Sequence, residues 1–557
     1  MFRKSNNNKQ STFFDSNTLF KGTPLKNFED SSAWHNLFRE QVTERIDEEI
    51  FRPLYCENNG TPNASIRVLV AMIILKDAYG MSNSVLLERV QYCALVRSAL
   101  GLFNFYDQVP SRSTYYLFIK HILDREKAGL GNLMSEVYSS ITKSQIMEFN
   151  INGSKIRMDS TLFGSNIAWC SRYELVHETL RLAYAKAKSQ INTFLTKDDI
   201  AKLQLLFEET AENVSYHSNK AELVSKLTRL GQITYSIVKS IPDRTIDAID
   251  ILHRVFYEQY EVINDIVQPL PKQAIKASSV QSPHDPDCHF RTKGQTDVKG
   301  YSVNITETCD ENNDVNLITN VIVEPATISD IDFFQKAIED TQSVLHDKIE
   351  SINADGAYHS PENQEYCKEN EIDFIINALS GPPPRYDLYP VDNDNLIVFD
   401  NKLNKFIAAE KPKLYKGGPV NSWYIITEKL EYKYFNRQDL ANSELRRQIA
   451  SRPRKERNRR NNVEASVFQF CYHLSGKKSR YRGLIRHRLW AFARCIWINF
   501  VRIMKYLKKN GMNPIIDGKM MAICRHFLPF FAIIYNFIQN IFYLREIPKF
   551  NKLCHDF

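Results

Sequence analysis

No Cys-x-x-Cys pair occurs in the 557 residues: the ten cysteines, Cys56, Cys93, Cys170, Cys288, Cys309, Cys367, Cys471, Cys495, Cys524 and Cys554, stand singly. Neither a zinc ribbon nor a disulfide framework follows from such scatter. The opening stretch, Met-Phe-Arg-Lys-Ser-Asn-Asn-Asn-Lys-Gln-Ser, lacks the apolar core of a signal peptide, so a reducing cytoplasm is the expected setting. Long apolar runs are also scarce. Phe527 to Leu544 comes nearest, but Pro529, Asn536, Gln539 and Asn540 interrupt it and it barely reaches spanning length. A buried or interfacial helix is expected there, not a membrane span.

What is present is enough for a large folded protein. At 43% hydrophobic and 12% aromatic residues the chain can bury sizeable cores, and its length suggests about three or four modules. The formal net charge is only +7. The basic residues crowd into the C-terminal third, however, and a local excess of that kind is what attracts a polyanion.

Residues 1–30 are polar and expected to be mobile. Residues 31–150 read as helical throughout: Ile66, Leu69, Val70, Ile73 and Ile74 share a helical face, Ser82 opens a new helix after Gly80, and Ser111 or Ser113 caps another. Short helices joined by tight turns suit a helix-turn-helix reader of DNA, and equally any small helical domain.

The chemistry is expected to begin at Lys155-Ile-Arg-Met-Asp-Ser-Thr161. Ile156 and Met158 alternate with Lys155 and Arg157, the period of a strand with one buried face, and Asp159 lies near its end. Residues 171–282 read as an inserted helical bundle, with apolar residues at three- and four-residue spacing in 187–195, 200–212 and 246–262. The pattern then changes. Tyr301 to Thr308 and Asn316 to Val323 read as strands, 331–345 as a helix, Ile349 to Asp355 as a strand, 361–370 as a short helix and Ile372 to Asn377 as a last strand. Counted from the Asp159 strand, the order is strand, strand, strand, helix, strand, helix, strand. That is the order of a ribonuclease-H-like α/β core with a mixed sheet, formed from 151–170 and 283–380 around the inserted bundle. A small β-rich insertion over 381–445, a basic segment with closing helices over 446–510 and an apolar tail over 511–557 complete the expected organisation.

In such a core the first and fourth strands are neighbours and a closing helix packs over them, so Asp159, Asp355 and Glu464 are expected to converge. Singly each has a plainer reading: a strand-end acid, an Asp-Gly turn, a solvated helix face. Together, three carboxylates can hold two Mg²⁺ or Mn²⁺ ions roughly 3.5 to 4 Å apart for an in-line phosphoryl displacement. Val463, Val467, Phe470 and Leu474 mark the buried stripe of the last helix, and Glu464 lies at its edge. Arg454, Lys455, Arg457, Arg459 and Arg460 just before it, Arg480 and Arg482 beyond it, and Arg112 in the helical domain are the expected DNA contacts. Asp285, Asp287 and Glu307 are reserve acids.

Several ordered motifs carry a family likeness: Phe51-Arg-Pro-Leu-Tyr55, Gly101-Leu with Val109-Pro-Ser-Arg-Ser-Thr114, Met158-Asp-Ser-Thr161, Ser282-Pro-His-Asp-Pro-Asp287, Lys299-Gly-Tyr301 with Thr306-Glu-Thr-Cys-Asp310, Asp355-Gly-Ala-Tyr358, and Tyr481-Arg-Gly483 before an apolar helix containing Asn499. With these, residues 45–508 resemble the DDE transposases of bacterial insertion sequences that join an N-terminal helical domain to a ribonuclease-H-like catalytic domain. The resemblance implies that Asp159, Asp355 and Glu464 are the metal-binding catalytic acids. Related enzymes carry a Tyr seven residues before the last acid and a Lys seven residues after it; Arg457 and Cys471 stand at those positions here. The implied partners are double-stranded DNA, both element ends and target, and a second copy of the chain on that DNA. No small-molecule substrate is expected. The expected function is Mg²⁺-dependent cleavage and strand transfer at terminal inverted repeats by a cytoplasmic, nucleoid-associated enzyme. The alternatives are a nuclease without strand transfer and a catalytically inactive DNA-binding copy.

Overall fold

The structure, a computed structural model, describes residues 1–5, 15–57, 59–241, 243–379, 384–392, 395–411 and 422–511. The apolar stretch Phe527 to Leu544 lies outside them, and among the described residues no helix is long and apolar enough to cross a membrane.

The N-terminal domain is helical: α1 (Thr23–Glu29), α2 (Trp34–Gln41), α3 (Ile66–Ala78), α4 (Asn83–Tyr92), α5 (Ala94–Ala99), α6 (Arg112–Lys127) and α7 (Leu133–Glu148). Its helix starts follow from capping chemistry. The side chains of Ser65, Ser82, Ser111 and Asn132 accept from the backbone N–H of Val68, Val85, Thr114 and Ser135, partnering donors that a helix leaves open at its start. Helix α3 is buried on every side, with Val68, Ala71, Met72 and Leu75 enclosed as well as the expected face, as befits a helix apolar all round. The polar N-terminal segment is anchored at both described ends. The Phe2 N–H donates to the Cys56 carbonyl (3.1 Å), the Ser5 hydroxyl donates to Glu48 (2.7 Å), and Phe28 of α1 packs on His35 with ring centres 5.1 Å apart. The Phe2 ring also packs near that of Tyr55, with centres 6.3 Å apart.

The sheet layer opens with β1 (Lys155–Gly164). The chain then leaves the sheet for a bundle of α8 (Arg172–Phe194), α9 (Lys197–Glu208), α10 (Ala211–His217), α11 (Lys220–Ser240) and α12 (Asp247–Gln259), which encloses a core of its own around Leu180, Leu230, Leu252 and Phe256. The helix expected to run to Val262 stops earlier. Asn264 and Asp265, at φ 51° and 60°, make a two-residue turn between β2 (Tyr260–Ile263) and β3 (Ile266–Pro269).

The chain returns through β4 (His289–Lys293), β5 (Thr296–Thr308), β6 (Ile318–Pro325), α13 (Asp330–Val344), β7 (Ser351–Ala354), α14 (Pro361–Glu369) and β8 (Asp373–Ile376). In the resulting six-stranded mixed sheet, β1 pairs antiparallel with β5 and parallel with β7, β7 pairs parallel with β8, and β4 and β6 both pair antiparallel with β5. This is the ribonuclease-H-like arrangement, extended by the short β4. Ile156, Met158, Ile352 and Ala354 face Phe334 and Ile338 of α13. Phe163, Tyr301, Val303 and Ile305 belong to a second core, shared with the N-terminal helices and the C-terminal helix.

A small β unit follows, of β9 (Tyr386–Pro390), β10 (Leu396–Asp400), β11 (Lys405–Ala409), β12 (Ser422–Ile426) and β13 (Tyr432–Asn436), closed over Leu388, Val398, Trp423 and Phe435. Then come α15 (Arg437–Ser451), α16 (Arg454–Arg457), α17 (Asn461–Cys471) and α18 (Leu484–Gly511). Helix α18 lies between the sheet and the N-terminal domain, against β6, α3 and α7. Asn499, polar in an otherwise apolar stretch, explains itself there: its amide accepts from the Ile318 N–H and donates to the Ile318 carbonyl, each at 2.8 Å.

Two joints make measurable predictions. A Cβ at Gly300 would lie 2.0 Å from the Phe163 carbonyl oxygen and 2.8 Å from the Gly164 Cα, so Gly300→Ala must part β1 from β5. A loss of about 3 kcal/mol or more is expected, at or beyond the upper end of overpacking costs, read as a fall in the thermal midpoint. His487, fully buried, receives the Ser479 hydroxyl on Nε2 (2.7 Å) and donates from Nδ1 to the Gly483 carbonyl (2.8 Å), which is the work of a neutral ring. Burial pushes its pKa from 6.5 down to about 4. The unfolded chain therefore binds the extra proton first. The contribution is complete above pH 6.5 and lost as pH falls toward 4, a swing of up to about 3 kcal/mol. Urea midpoints of the wild type should fall between pH 7 and 5 more steeply than those of His487→Gln.

Candidate active site

Strands β1 and β7 run parallel with Lys155 beside Ser351, Ile156 beside Ile352 and Arg157 beside Asn353. Two residues further along each chain stand Asp159 and Asp355. The shared offset carries the two acids equally far past the last paired residues, Arg157 and Asn353. Asp355 is still extended, at φ −75° and ψ 158°, so the alternation of faces continues to it. Asp159 lies on the face of Arg157, and Asp355 on the face of Asn353. Both acids are half-buried, and the Ser160 N–H donates to Asp159 (2.9 Å).

The residues after Asp355 keep it in place. A Cβ at Gly356 would stand 2.1 Å from the Ala378 carbonyl oxygen, so only glycine lets the chain turn that close to the end of β8. Tyr358, fully buried, donates its hydroxyl to Asn304 on β5 (2.6 Å). The Asp-Gly-Ala-Tyr run is therefore an acid, a close approach and an anchor.

Glu464 lies on α17. Val463, Ser466 and Phe470 of that helix are fully buried, while Glu464 is exposed at the edge of their stripe. The helix packs on β1 and β5, and the turn before it packs on β1 and β7. All three acids thus belong to elements at one face of the sheet. Among the described residues no three His, Cys, Asp or Glu side chains are gathered closely enough to hold a metal ion as they stand. The donor set still fits a hard divalent cation in its chemistry: one carboxylate on β1, one just past the end of the neighbouring β7, and a third on the helix packed against β1.

The reserve acids have structural duties. Glu307, wholly buried, receives Arg157 Nε (2.6 Å), Arg502 Nη1 (2.8 Å) and the Ser466 hydroxyl (2.6 Å). Burial alone would raise its pKa, but the Arg502 and Arg157 charges prevail and hold it below the ordinary value. Asp285 accepts from Tyr301 (2.5 Å) and from the Ser165 hydroxyl, and Asp287 accepts from the Leu484 N–H (3.3 Å) at the start of α18.

The expected DNA contacts divide. Arg454, Lys455, Arg480, Arg482 and Arg112 are exposed, and Arg457 and Arg459 half-buried. Lys455 and Arg459 both bind Glu311, at 2.7 and 2.6 Å, and these two contacts draw the Glu311 pKa down to about 2. Arg480 donates to the Gly80 carbonyl, Arg482 to that of Asn166 (2.6 Å), and Arg112 stacks on Tyr116 at 5.5 Å. For Arg460 only the backbone is described, in the short 3₁₀ turn before α17. Cys471 packs against the core, and burial pushes its thiol up to about 11; it carries no charge at that position. The Nε of Arg457 is enclosed without a hydrogen-bond partner.

Two residues were not singled out from the sequence: Arg157 and Asn353, each two places before an acid. The signal was there in the period of two, which puts each on its acid's face. What it lacked was the partner they hold, the backbone of the basic turn, some hundred and three hundred residues away: Asn353 donates to the Glu456 carbonyl and Arg157 to the Arg459 carbonyl, each at 3.0 Å.

The sheet order, with helices on both faces, defines a ribonuclease-H-like enzyme core. Residues 26–121 match the family described as "Transposase domain (DUF772)", and residues 291–500 match the "Transposase DDE domain". Together these stretches take in more than half of the chain, and the chain belongs to the DDE transposases. The second contains Asp355 and Glu464 and begins after Asp159. No curated protein matches the chain. One solved structure, titled "Cryo-EM structure of piggyBac transposase synaptic complex with hairpin DNA (SNHP)", is similar over 88% of this chain and 78% of that one, at 9% identity and a TM-score of 0.26, a likeness too loose to carry weight.

Proposed function

We propose that this transposase recognises the terminal inverted repeats of its element, cuts a strand at each end and joins the freed 3′-hydroxyl to target DNA, with Asp159, Asp355 and Glu464 as its catalytic acids. What supports the reading is the parallel pairing of β1 and β7, whose last pair, Arg157 and Asn353, stands two residues before Asp159 and Asp355, with the helix that bears Glu464 packed on β1. Divalent metal ions, proposed here as two Mg²⁺ with Mn²⁺ able to replace them, would be held by the three carboxylates. Bound there they supply charge to the attacking and leaving oxygens of an in-line displacement. The chain's own work is positioning. Asp159 and Asp355 come from strands fixed on both faces, so little reorganisation is needed when negative charge develops.

Arg454, Arg480, Arg482 and Arg112, exposed at the surface, serve as phosphate contacts independent of sequence. Lys455 and Arg459 contribute once Glu311 gives way to a phosphate, and Arg457 and Arg460 lie on the same turn. The helical domain, over 31–150, reads the repeat. Because two ends must be processed together, a dimer on DNA is part of the proposal, as is action in the cytoplasm at the nucleoid.

The test is incubation of the protein and Mg²⁺ with a labelled fragment carrying the sequence that flanks the gene. Nicks confined to the element ends are the expected product. DNA binding without cleavage in either Mg²⁺ or Mn²⁺ would overturn the catalytic proposal and leave a DNA-binding copy.

A further inference from the structure

Glu464 is exposed on its helix, yet a metal ligand must be held in place. The backbone before it is pinned from below at two points. Arg157 Nη1 donates to the Arg459 carbonyl and Asn353 Nδ2 to the Glu456 carbonyl, each at 3.0 Å. These donors are register partners across β1 and β7, and the carbonyls are three residues apart on one turn. After Glu464 the helix is pinned again, where the Ser466 hydroxyl donates to Glu307 (2.6 Å). The two sides are joined through one guanidinium, since Arg157 Nε holds the other oxygen of Glu307 at 2.6 Å. Arg502 completes the set, reaching Glu307 at 2.8 Å and also the Ser466 hydroxyl. Arg157 and Asn353 are almost wholly enclosed, at 7% and 0% exposure.

A purely structural ion pair needs neither the carbonyl contacts nor the spacing. Here each donor sits two residues before an acid, on that acid's face, and grips the segment that leads to the third acid. Resting on the catalytic reading above, we infer that Arg157 and Asn353 are positioning residues that fix the height of α17, and so the distance from Glu464 to Asp159 and Asp355. The strands that present two acids thereby measure out the place of the third. Shells of this kind typically change metal affinity about 10- to 100-fold when disturbed.

Arg157→Lys keeps the charge opposite Glu307 but cannot hold Glu307 and the Arg459 carbonyl at once, and Asn353→Ala removes the second pin without adding charge. Mn²⁺ binding, followed by electron paramagnetic resonance, should weaken about tenfold or more in either variant. In a Glu464→Ala background neither substitution should weaken it further, because the ligand they position is gone. Amide hydrogen exchange on the metal-free protein should quicken across 456–466 and stay unchanged in the N-terminal domain. Wild-type Mn²⁺ affinity in both variants, a full additional loss in the Glu464→Ala background, or unchanged exchange over 456–466 would each overturn the inference. If Asp159→Ala binds Mn²⁺ as tightly as the wild type, the catalytic reading itself fails. The exchange result still decides whether the pins hold α17.

Discussion

Asp159→Ala and Asp355→Ala are each expected to lower strand cleavage by about three orders of magnitude while DNA affinity stays close to that of the wild type. The expectation follows from placement. Asp159 lies within β1 and Asp355 just after β7, each two residues beyond the three successive pairs that fix the register of the two strands, and neither supplies apolar packing to the sheet, so removing a carboxylate takes away negative charge and leaves those pairs in place. The measurement is single-turnover nicking of an end-labelled fragment, with binding followed separately by gel shift in Ca²⁺ or without metal. Glu464→Ala should join the same class. If that variant still cut, the third acid would lie elsewhere. Glu307, Asp285 and Asp287 are poor substitutes, because each already accepts hydrogen bonds inside the protein.

Glu307→Ala is expected to act quite differently, by unfolding the catalytic domain. The substitution would leave two guanidiniums, Arg157 and Arg502, enclosed beside each other with no counter-charge, where the native carboxylate receives both at 2.6 and 2.8 Å. Breaking a buried pair by removing one partner costs about 3 to 5 kcal/mol, a large share of the stability of any domain. The loss should appear as a lowered thermal midpoint and reduced soluble yield, in the absence of DNA or metal. Glu307→Gln keeps the size and one acceptor and should lose less. The contrast with Asp159→Ala separates an acid that holds the fold from one proposed to do chemistry.

The start of β1 was legible because Ile156 and Met158 alternate with polar residues, but Asp159, expected near the strand's end, lies in its middle, because β5 pairs with β1 on to Gly164. The alternation misled at one point. Arg157 reads as a solvent-facing cation but is buried, since its partner Glu307 lies on the neighbouring strand 150 residues away; no local pattern reports a long-range counter-charge. The β2–β3 hairpin was hidden because its residues continue the apolar spacing of α12, and the break rests on two left-handed residues, Asn264 and Asp265. Strand β4, His-Phe-Arg-Thr-Lys, is too polar and short to stand out, and exists because β5 extends past β1 and offers it an edge. Of the site, the adjacency of β1 and β7, from which Asp159 and Asp355 come, could be anticipated from topology alone. The sharing of Lys455 and Arg459 with Glu311 could not, which is why a run of basic residues overstates the charge available to DNA.

One carboxylate site is proposed both to cut and to join DNA. The most direct test offers the protein and Mg²⁺ a pre-cut, labelled element end with a supercoiled plasmid, comparing ends that finish in a 3′-hydroxyl with ends that finish in a 3′-deoxy sugar. Label joined covalently to plasmid is expected from the hydroxyl ends, none from the deoxy ends, and none from either with Asp159→Ala or Asp355→Ala. Nicking of uncut ends with no joined product under the same conditions would contradict the proposal and leave a nuclease in its place.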